Sequence, residues 1–114
     1  MKELAVIILN WNGRKLLEQF LPVASRYSIT EDADLIVADN GSTDDSVEWV
    51  KAHHPEVKVL SFSENYGFAE GYNKAIEQTQ YKYTILLNSD VEVTEDWTRP
   101  LLDFMRRNSD VGAL

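Results

Sequence analysis

The sequence contains no cysteine, which removes disulfides, thiolate metal sites and cysteine nucleophiles from consideration. Basic residues are scarce: 11 Lys and Arg stand against 19 Asp and Glu, a formal net charge of -8 at pH 7. That balance repels phosphate backbones and anionic lipid, so neither a nucleic-acid binder nor a membrane-surface binder is expected. Long apolar runs are missing too; the longest, Leu4 to Leu9, falls far below the ~20 residues of a membrane span. The start, Met1-Lys2-Glu3, sets one positive charge beside an acid, and Asn10-Trp11-Asn12 stands where a signal peptide would carry small residues for cleavage. Repeats, low-complexity tracts and linkers are absent as well. With 44% hydrophobic residues the chain is too apolar to be disordered, and 114 residues make one domain. The expectation is a globular domain facing the cytoplasm.

What the chain does have is alternation. Leu4-Ala5-Val6-Ile7-Ile8-Leu9 is continuous and β-branched, the pattern of a strand buried on both faces. Leu35-Ile36-Val37-Ala38 and Thr84-Ile85-Leu86-Leu87 read the same way, while Val57-Lys58-Val59-Leu60 alternates like a strand nearer the sheet edge. Helical spacing fills the gaps. Arg14 to Tyr27 aligns Leu16, Leu17, Phe20, Leu21 and Ala24, with Pro22 expected to kink or split it. Ser42 to His54 is expected to start at Ser42 as N-cap, with Asp45 three residues on, and to stop at Pro55. Phe68 to Gln80 and Asp96 to Arg107 complete the set, the last with Thr94 as candidate cap. Val111-Gly112-Ala113-Leu114 reads as the opening of a fifth strand. This βαβα order specifies an α/β fold: a parallel sheet with helices on both faces and right-handed crossovers. A pattern that stops as a strand opens suggests the front part of something longer.

In such sheets ligands bind beyond the carboxyl ends of the strands, where strand order reverses. The residues there are Asn10-Trp11-Asn12-Gly13, Asp39-Asn40-Gly41-Ser42, Ser63-Glu64-Asn65-Tyr66-Gly67 and Asn88-Ser89-Asp90. Loop by loop, Asn, Asp and Gly could be turn residues and nothing more. Two carboxylates resist that reading. Asp39 follows a buried strand although Ser42 already serves as the expected cap, and Asp90 precedes the β-like Val91-Glu92-Val93 with no helix to cap. Each must be solvated, paired or bound to a cation. Neither a Gly-x-Gly-x-x-Gly turn nor a Gly-x-x-x-x-Gly-Lys-Ser/Thr loop is present, so a bound diphosphate would lean on a divalent cation for neutralisation.

These loops, in this order, resemble family 2 glycosyltransferases of GT-A fold. The matching pieces are the first strand into Asn10-Trp11-Asn12, then Ile36-Val37-Ala38-Asp39-Asn40-Gly41-Ser42-Thr43-Asp44, Asn65-Tyr66-Gly67-Phe68-Ala69-Glu70-Gly71-Tyr72-Asn73, and Leu86-Leu87-Asn88-Ser89-Asp90. The asparagine-rich variants look most like the rhamnosyltransferase-type branch. The resemblance implies a Rossmann-like, mostly parallel α/β/α sheet truncated after about four strands. It also implies inverting transfer of a sugar from a nucleotide-diphosphate donor, of UDP or dTDP type, to a saccharide or lipid-linked saccharide acceptor in cell-surface polysaccharide synthesis. The longer protein would then work at the inner face of the membrane.

Carried over residue by residue, the resemblance puts Asp39 against the N3–H of uracil or thymine and makes Asn10, Trp11 and Asn12 the wall of the base and ribose. Asn65 and Gly67 fall in a loop near the nucleotide, and Asn73 on the helix that follows. Asn88-Ser89-Asp90 takes the place of the family's Asp-x-Asp motif, so Asp90 would hold Mn2+ or Mg2+ against the diphosphate. Asn88 departs from that pattern; it can bond a ribose hydroxyl but adds no charge. The family's general base and acceptor region fall beyond Leu114. Residues 1–114 are therefore expected to form the nucleotide-sugar-binding N-terminal part, without the acceptor-binding half and inactive alone.

The remaining candidates read as structural. Adjacent His53 and His54 diverge and suit a helix end. Trp49 and Trp97 suit helix packing, and Glu92, Glu95 and Asp96 suit a solvated helix start. A receiver-type signalling module would need acids where Asn10-Trp11-Asn12 stands and a phosphoacceptor where Ser63-Glu64-Asn65 stands. A nucleotidyltransferase-like domain would need a basic glycine-rich loop, of which Gly13, Arg14 and Lys15 are only a hint.

Overall fold

The computed structural model describes residues 2–108, 110, 112 and 113. Strands β1 (Leu4–Asn10), β2 (Ala33–Asp39), β3 (Lys58–Ser61) and β4 (Tyr83–Leu87) alternate with helices α1 (Arg14–Ser28), α2 (Ser46–His53), α3 (Phe68–Thr79) and α4 (Thr98–Arg107). All strand pairs are parallel and the sheet order is β3-β2-β1-β4. The chain therefore lays strands outward from β1 to β3, then returns to the other side of β1. The switch point lies between β1 and β4.

Side-chain alternation divides the sheet between two cores. Leu4, Val6 and Ile8 of β1 join Leu35 and Val37 of β2 and Tyr83, Ile85 and Leu87 of β4 beneath α1, α2 and α4. Ala5 and Ile7 join Ile36 and Ala38 beneath α3, which contributes Tyr72 and Ala75. Because β1 and β2 are covered on both faces, their sequences are continuous apolar runs rather than alternating ones. Each fully buried Leu or Ile here contributes on the order of 2 kcal/mol. β3, at the edge, is exposed at Lys58 and Ser61.

Several local expectations fail for identifiable reasons. Pro22 neither splits nor ends α1, which is continuous from Arg14 to Ser28. Pro22 and Glu18, whose carbonyl loses its partner, are both exposed, so the freed carbonyl is open to solvent and the break costs little. α2 begins at Ser46, not Ser42, because the Asp39 carboxylate has claimed the Ser42 hydroxyl and amide. Asp44 Oδ1 instead accepts from the Ser46 amide at 3.0 Å. α4 begins at Thr98 after Trp97, and Thr94 makes no cap. Trp97 Nε1 donates to Ser28 Oγ at 3.1 Å, which ties the start of α4 to the end of α1. Val91-Glu92-Val93 is irregular rather than β-like.

On the outer edge of β4, Thr84 N donates to Gly112 O at 3.0 Å and Ala113 bridges Thr84 in parallel. A single isolated bridge thus stands where the fifth strand is expected, and no fifth strand occurs among the described residues; Val111 and Leu114 lie outside them.

Candidate functional site

Strand register brings the first predicted residues together. Asn10 lies opposite Asp39 in the β1–β2 ladder, and the two side chains are 2% and 3% exposed. Asn10 Nδ2 donates to Asp39 Oδ1 at 2.9 Å, Ser42 Oγ to the same oxygen at 2.6 Å, and Ser42 N to Asp39 Oδ2 at 3.0 Å. The buried carboxylate is thus held by three protein donors, which is what its burial demands. Asn10 Oδ1 is buried and has no hydrogen-bond partner among the described residues. A Cβ on Gly13 would sit 2.6 Å from that oxygen, so any larger residue at 13 would push the Asn10 side chain out of this arrangement.

Asn12 locks the first loop to the second. Its φ of 49° turns the chain, and its Oδ1 accepts from Thr43 N at 2.7 Å and Asp44 N at 3.1 Å. Arg14 continues the contact through its amide to Asp44 and its guanidinium to Asp45 at 2.6 Å. Burial pushes the Asp44 carboxyl up, but hydrogen bonds from Ser46 and Arg14 outweigh it and hold it below the usual range.

Asn40 performs the same task for the third loop. It is 2% exposed; its Nδ2 donates to Asn65 Oδ1 at 3.1 Å and Gly67 O at 3.0 Å, and its Oδ1 accepts from Tyr66 N at 3.0 Å. Asn65 Oδ1 also takes the Gly67 amide at 2.7 Å. Gly41 has φ +76°, and a Cβ there would lie 2.5 Å from the Glu64 carbonyl carbon, so the second and third loops touch through backbone.

Other predicted residues stand apart from this cluster. Trp11 is 56% exposed beside it. Asn73 lies on the exposed side of α3, and no side-chain hydrogen bond joins it to the loops among the described residues. Asn88 and Asp90 are exposed in the turn after β4, where Val91 N reaches Asn88 O at 3.4 Å. No group of three or more His, Cys, Asp or Glu able to hold a metal occurs among the described residues. Asp90 could therefore supply one ligand to a hard cation whose other ligands were phosphate oxygens and water, which is how Mg2+ and Mn2+ are commonly held beside nucleotides.

His53 Nδ1 lies 3.0 Å from Trp49 O, and His54 Nδ1 lies 3.0 Å from Glu56. The two rings have separate hydrogen-bond partners and share the Trp49 ring as a packing partner. Trp49 and Trp97 pack against the larger core as expected. A groove of about 540 Å³ lies away from the loops, lined by Lys2, Asp34, Lys58 and Tyr81 over Ile36 and Leu60. Its charges are already satisfied, since Asp34 takes Lys2, Lys58 and Tyr81.

Three residues of the loop system escape the sequence reading. Ser42 had the look of a helix cap, Asn40 that of a turn residue, and Tyr72 that of a core residue. Each nevertheless stood in a stretch already singled out, Asn40 and Ser42 in the loop with Asp39 and Tyr72 in the run that ends at Asn73.

Among the described residues no helix is long and apolar enough to cross a membrane. The model of the family described as "Glycosyl transferase family 2" matches residues 5–114. A teichoic acid poly(glycerol phosphate) polymerase of Staphylococcus epidermidis is 28% identical over 82% of this chain, which spans 13% of that relative's length. Structure 1–349 of S. aureus TarS in complex with UDP-GlcNAc superposes with a TM-score of 0.78 at 20% identity, over 96% of this chain and 32% of that one. A mannosyltransferase of Pyrobaculum calidifontis in complex with GDP-Man and Mn2+ gives a TM-score of 0.71 at 20% identity, over 85% of this chain and 30% of its own. The parallel sheet is the GT-A sheet of these neighbours, and the chain belongs to glycosyl transferase family 2.

Proposed function

We propose that this chain is the donor-binding part of an inverting glycosyltransferase that takes its sugar from a UDP or dTDP donor. The buried Asn10–Asp39 pair carries the reading: a carboxylate and an unpartnered amide oxygen stand at the carboxyl ends of adjacent strands, beside the switch point. Asp39 Oδ2 accepts one protein donor, Ser42 N, and keeps capacity for a second. Uracil and thymine present an N3–H that would fill it. Asn12 and Asn65 shape the loops on either side, and Trp11 offers an exposed ring for the base or ribose.

A divalent cation, Mn2+ or Mg2+, would supply charge neutralisation to the diphosphate leaving group. Asp90 would hold the cation, and Asn88 would bond a ribose hydroxyl. In the transfer the bond from the anomeric carbon to the diphosphate oxygen breaks, the acceptor oxygen forms the new bond on the opposite face, and its proton passes to a base. We assign that base, with the acceptor site, to sequence beyond Leu114. The saccharide acceptor would belong to a cell-surface polymer handled on the cytoplasmic face, in keeping with the polymerase among the relatives.

Calorimetric titration with UDP, dTDP and CDP tests the reading. UDP and dTDP should bind, and CDP, whose N3 accepts rather than donates, should bind at least about 10-fold more weakly. Asp39→Asn should erase that preference. Equal binding of all three nucleotides, or a preference untouched by Asp39→Asn, would sink it.

A further inference from the structure

Tyr72 is a 3% exposed phenol whose hydroxyl lies at the switch point. It donates to Leu87 O at 3.1 Å and accepts from Leu9 N at 3.4 Å. The β1–β4 ladder ends at Ile8 and Leu87, after which β1 continues beside β2 alone. The hydroxyl thus closes the last rung where the strands part, and Leu87 is the residue immediately before Asn88. α3 comes close enough to deliver it because residue 71 is glycine: a Cβ there would meet Leu9 side-chain atoms at 3.1 Å and Asn40 Nδ2 at 2.9 Å. Phe68 braces the ring edge-on at 4.9 Å. Burial raises the Tyr72 phenol above its ordinary value, so it stays a donor at neutral pH. Among the described residues the turn beyond Leu87 has little else: a 3.4 Å backbone contact from Val91 N to Asn88 O, with Asn88 and Asp90 exposed.

We propose that Tyr72 is a positioning residue, whose hydroxyl pins the carboxyl end of β4 to β1 and so fixes where the Asn88-Ser89-Asp90 turn meets a nucleotide held at Asn10 and Asp39. The inference rests on the donor-site reading. It assigns α3 a role in the site through a residue that touches no ligand. A phenol hydroxyl can serve both strand ends at once, as donor to one and acceptor from the other. Phenylalanine keeps the ring and loses both bonds.

The test is titration of UDP, with Mn2+ and with EDTA, into the wild-type chain and Tyr72→Phe. In EDTA the two should agree within about twofold, whereas the enhancement by Mn2+ should fall about 10-fold in the variant. Backbone amides of residues 88–91 should also exchange faster in nucleotide-free Tyr72→Phe. Phe68→Leu, which removes the edge-on brace from the Tyr72 ring while keeping the hydroxyl, should show a smaller loss of the same selective kind and stands in if Tyr72→Phe does not fold. An unchanged Mn2+ enhancement overturns the proposal, and so does equal weakening with and without Mn2+, the mark of a purely structural role. A wild-type chain that binds no UDP would instead remove the donor-site reading, and one that binds UDP but gains nothing from Mn2+ would remove only the cation role of the Asp90 turn; either outcome takes this inference with it.

Discussion

Asn40 donates its side-chain amide to the backbone carbonyl of Gly67, at 3.0 Å, across the gap between the second and third loops. With Asn65 and Tyr66 it uses three of its hydrogen-bonding positions on one loop while nearly excluded from water. Polar groups so placed are costly to orphan.

Asn40→Ala should therefore destabilise the fold by about 2 kcal/mol, since the Tyr66 amide and the Gly67 carbonyl lose their partner. Urea denaturation measures this directly. A loss under about 0.5 kcal/mol, the range of an ordinary surface change, would show that water replaces the side chain and that the loops are not held through it.

Glycines 41 and 67 separate two causes of strain. Both have positive φ, +76° and +81°, but a Cβ on Gly41 collides with Glu64 backbone while Gly67 has open space. Gly67→Ala should cost the conformational term alone, about 1–3 kcal/mol. Gly41→Ala adds a clash with backbone that cannot turn aside, so it should be clearly the worse of the two. Thermal unfolding of both variants decides this, and equal melting temperatures would mean that the loop contact yields freely.

The strands and loops were legible in the sequence because burial on both faces leaves an unbroken β-branched run, as at Leu4–Leu9, and the residues after such a run must lie on the carboxyl edge. Helix starts were less legible. Ser42 before an amphipathic stretch is a sound cap signal, yet a buried carboxylate three residues earlier, Asp39, competes for the same hydroxyl and takes it. Local sequence cannot rank those two bonds, because the winner depends on strand pairing. Tyr72 was legible only as apolar, since its hydroxyl acts on Leu9 and Leu87, distant in sequence. Pro22 shows the reverse: a strong local breaker overruled by the buried face of α1, Leu17, Leu21 and Ala24.

The clasp around Asp34 should set the pH limits of stability. Burial pushes the Asp34 carboxyl up, but bonds from Tyr81, Lys58 and Lys2 outweigh it and hold the folded pKa below the ordinary 3.8. The unfolded chain then takes up its proton first. The contribution is complete above about pH 4 and drains away as pH falls through the folded value. At the alkaline end, burial and then Asp34 raise the Tyr81 phenol above 10.0, while Tyr81 and then Asp34 raise Lys58 above 10.5. Both contributions are full below those values and fade as pH climbs through the raised ones. Urea unfolding across pH should show a plateau that declines at both ends, with a shallower acid decline in Asp34→Asn. An acid limb of the same steepness in that variant would assign it to other carboxylates.

Asp90 offers a cation one carboxylate, and no cluster of three or more acidic, His or Cys ligands supplements it among the described residues. A hard divalent ion needs about six oxygens, so this chain alone should hold Mn2+ no tighter than about 1 mM. The missing oxygens would come from the diphosphate. Mn2+ titrated alone should then give little heat, and Mn2+ titrated into the UDP-saturated chain should bind. Asp90→Ala should abolish the difference. Asn88→Asp should increase it several-fold, because affinity for such ions follows the number of charged ligands and the two side chains share one turn. Tight Mn2+ binding without UDP would place the ion elsewhere, and an Asp90→Ala variant that still couples Mn2+ to UDP would take this turn out of the donor site.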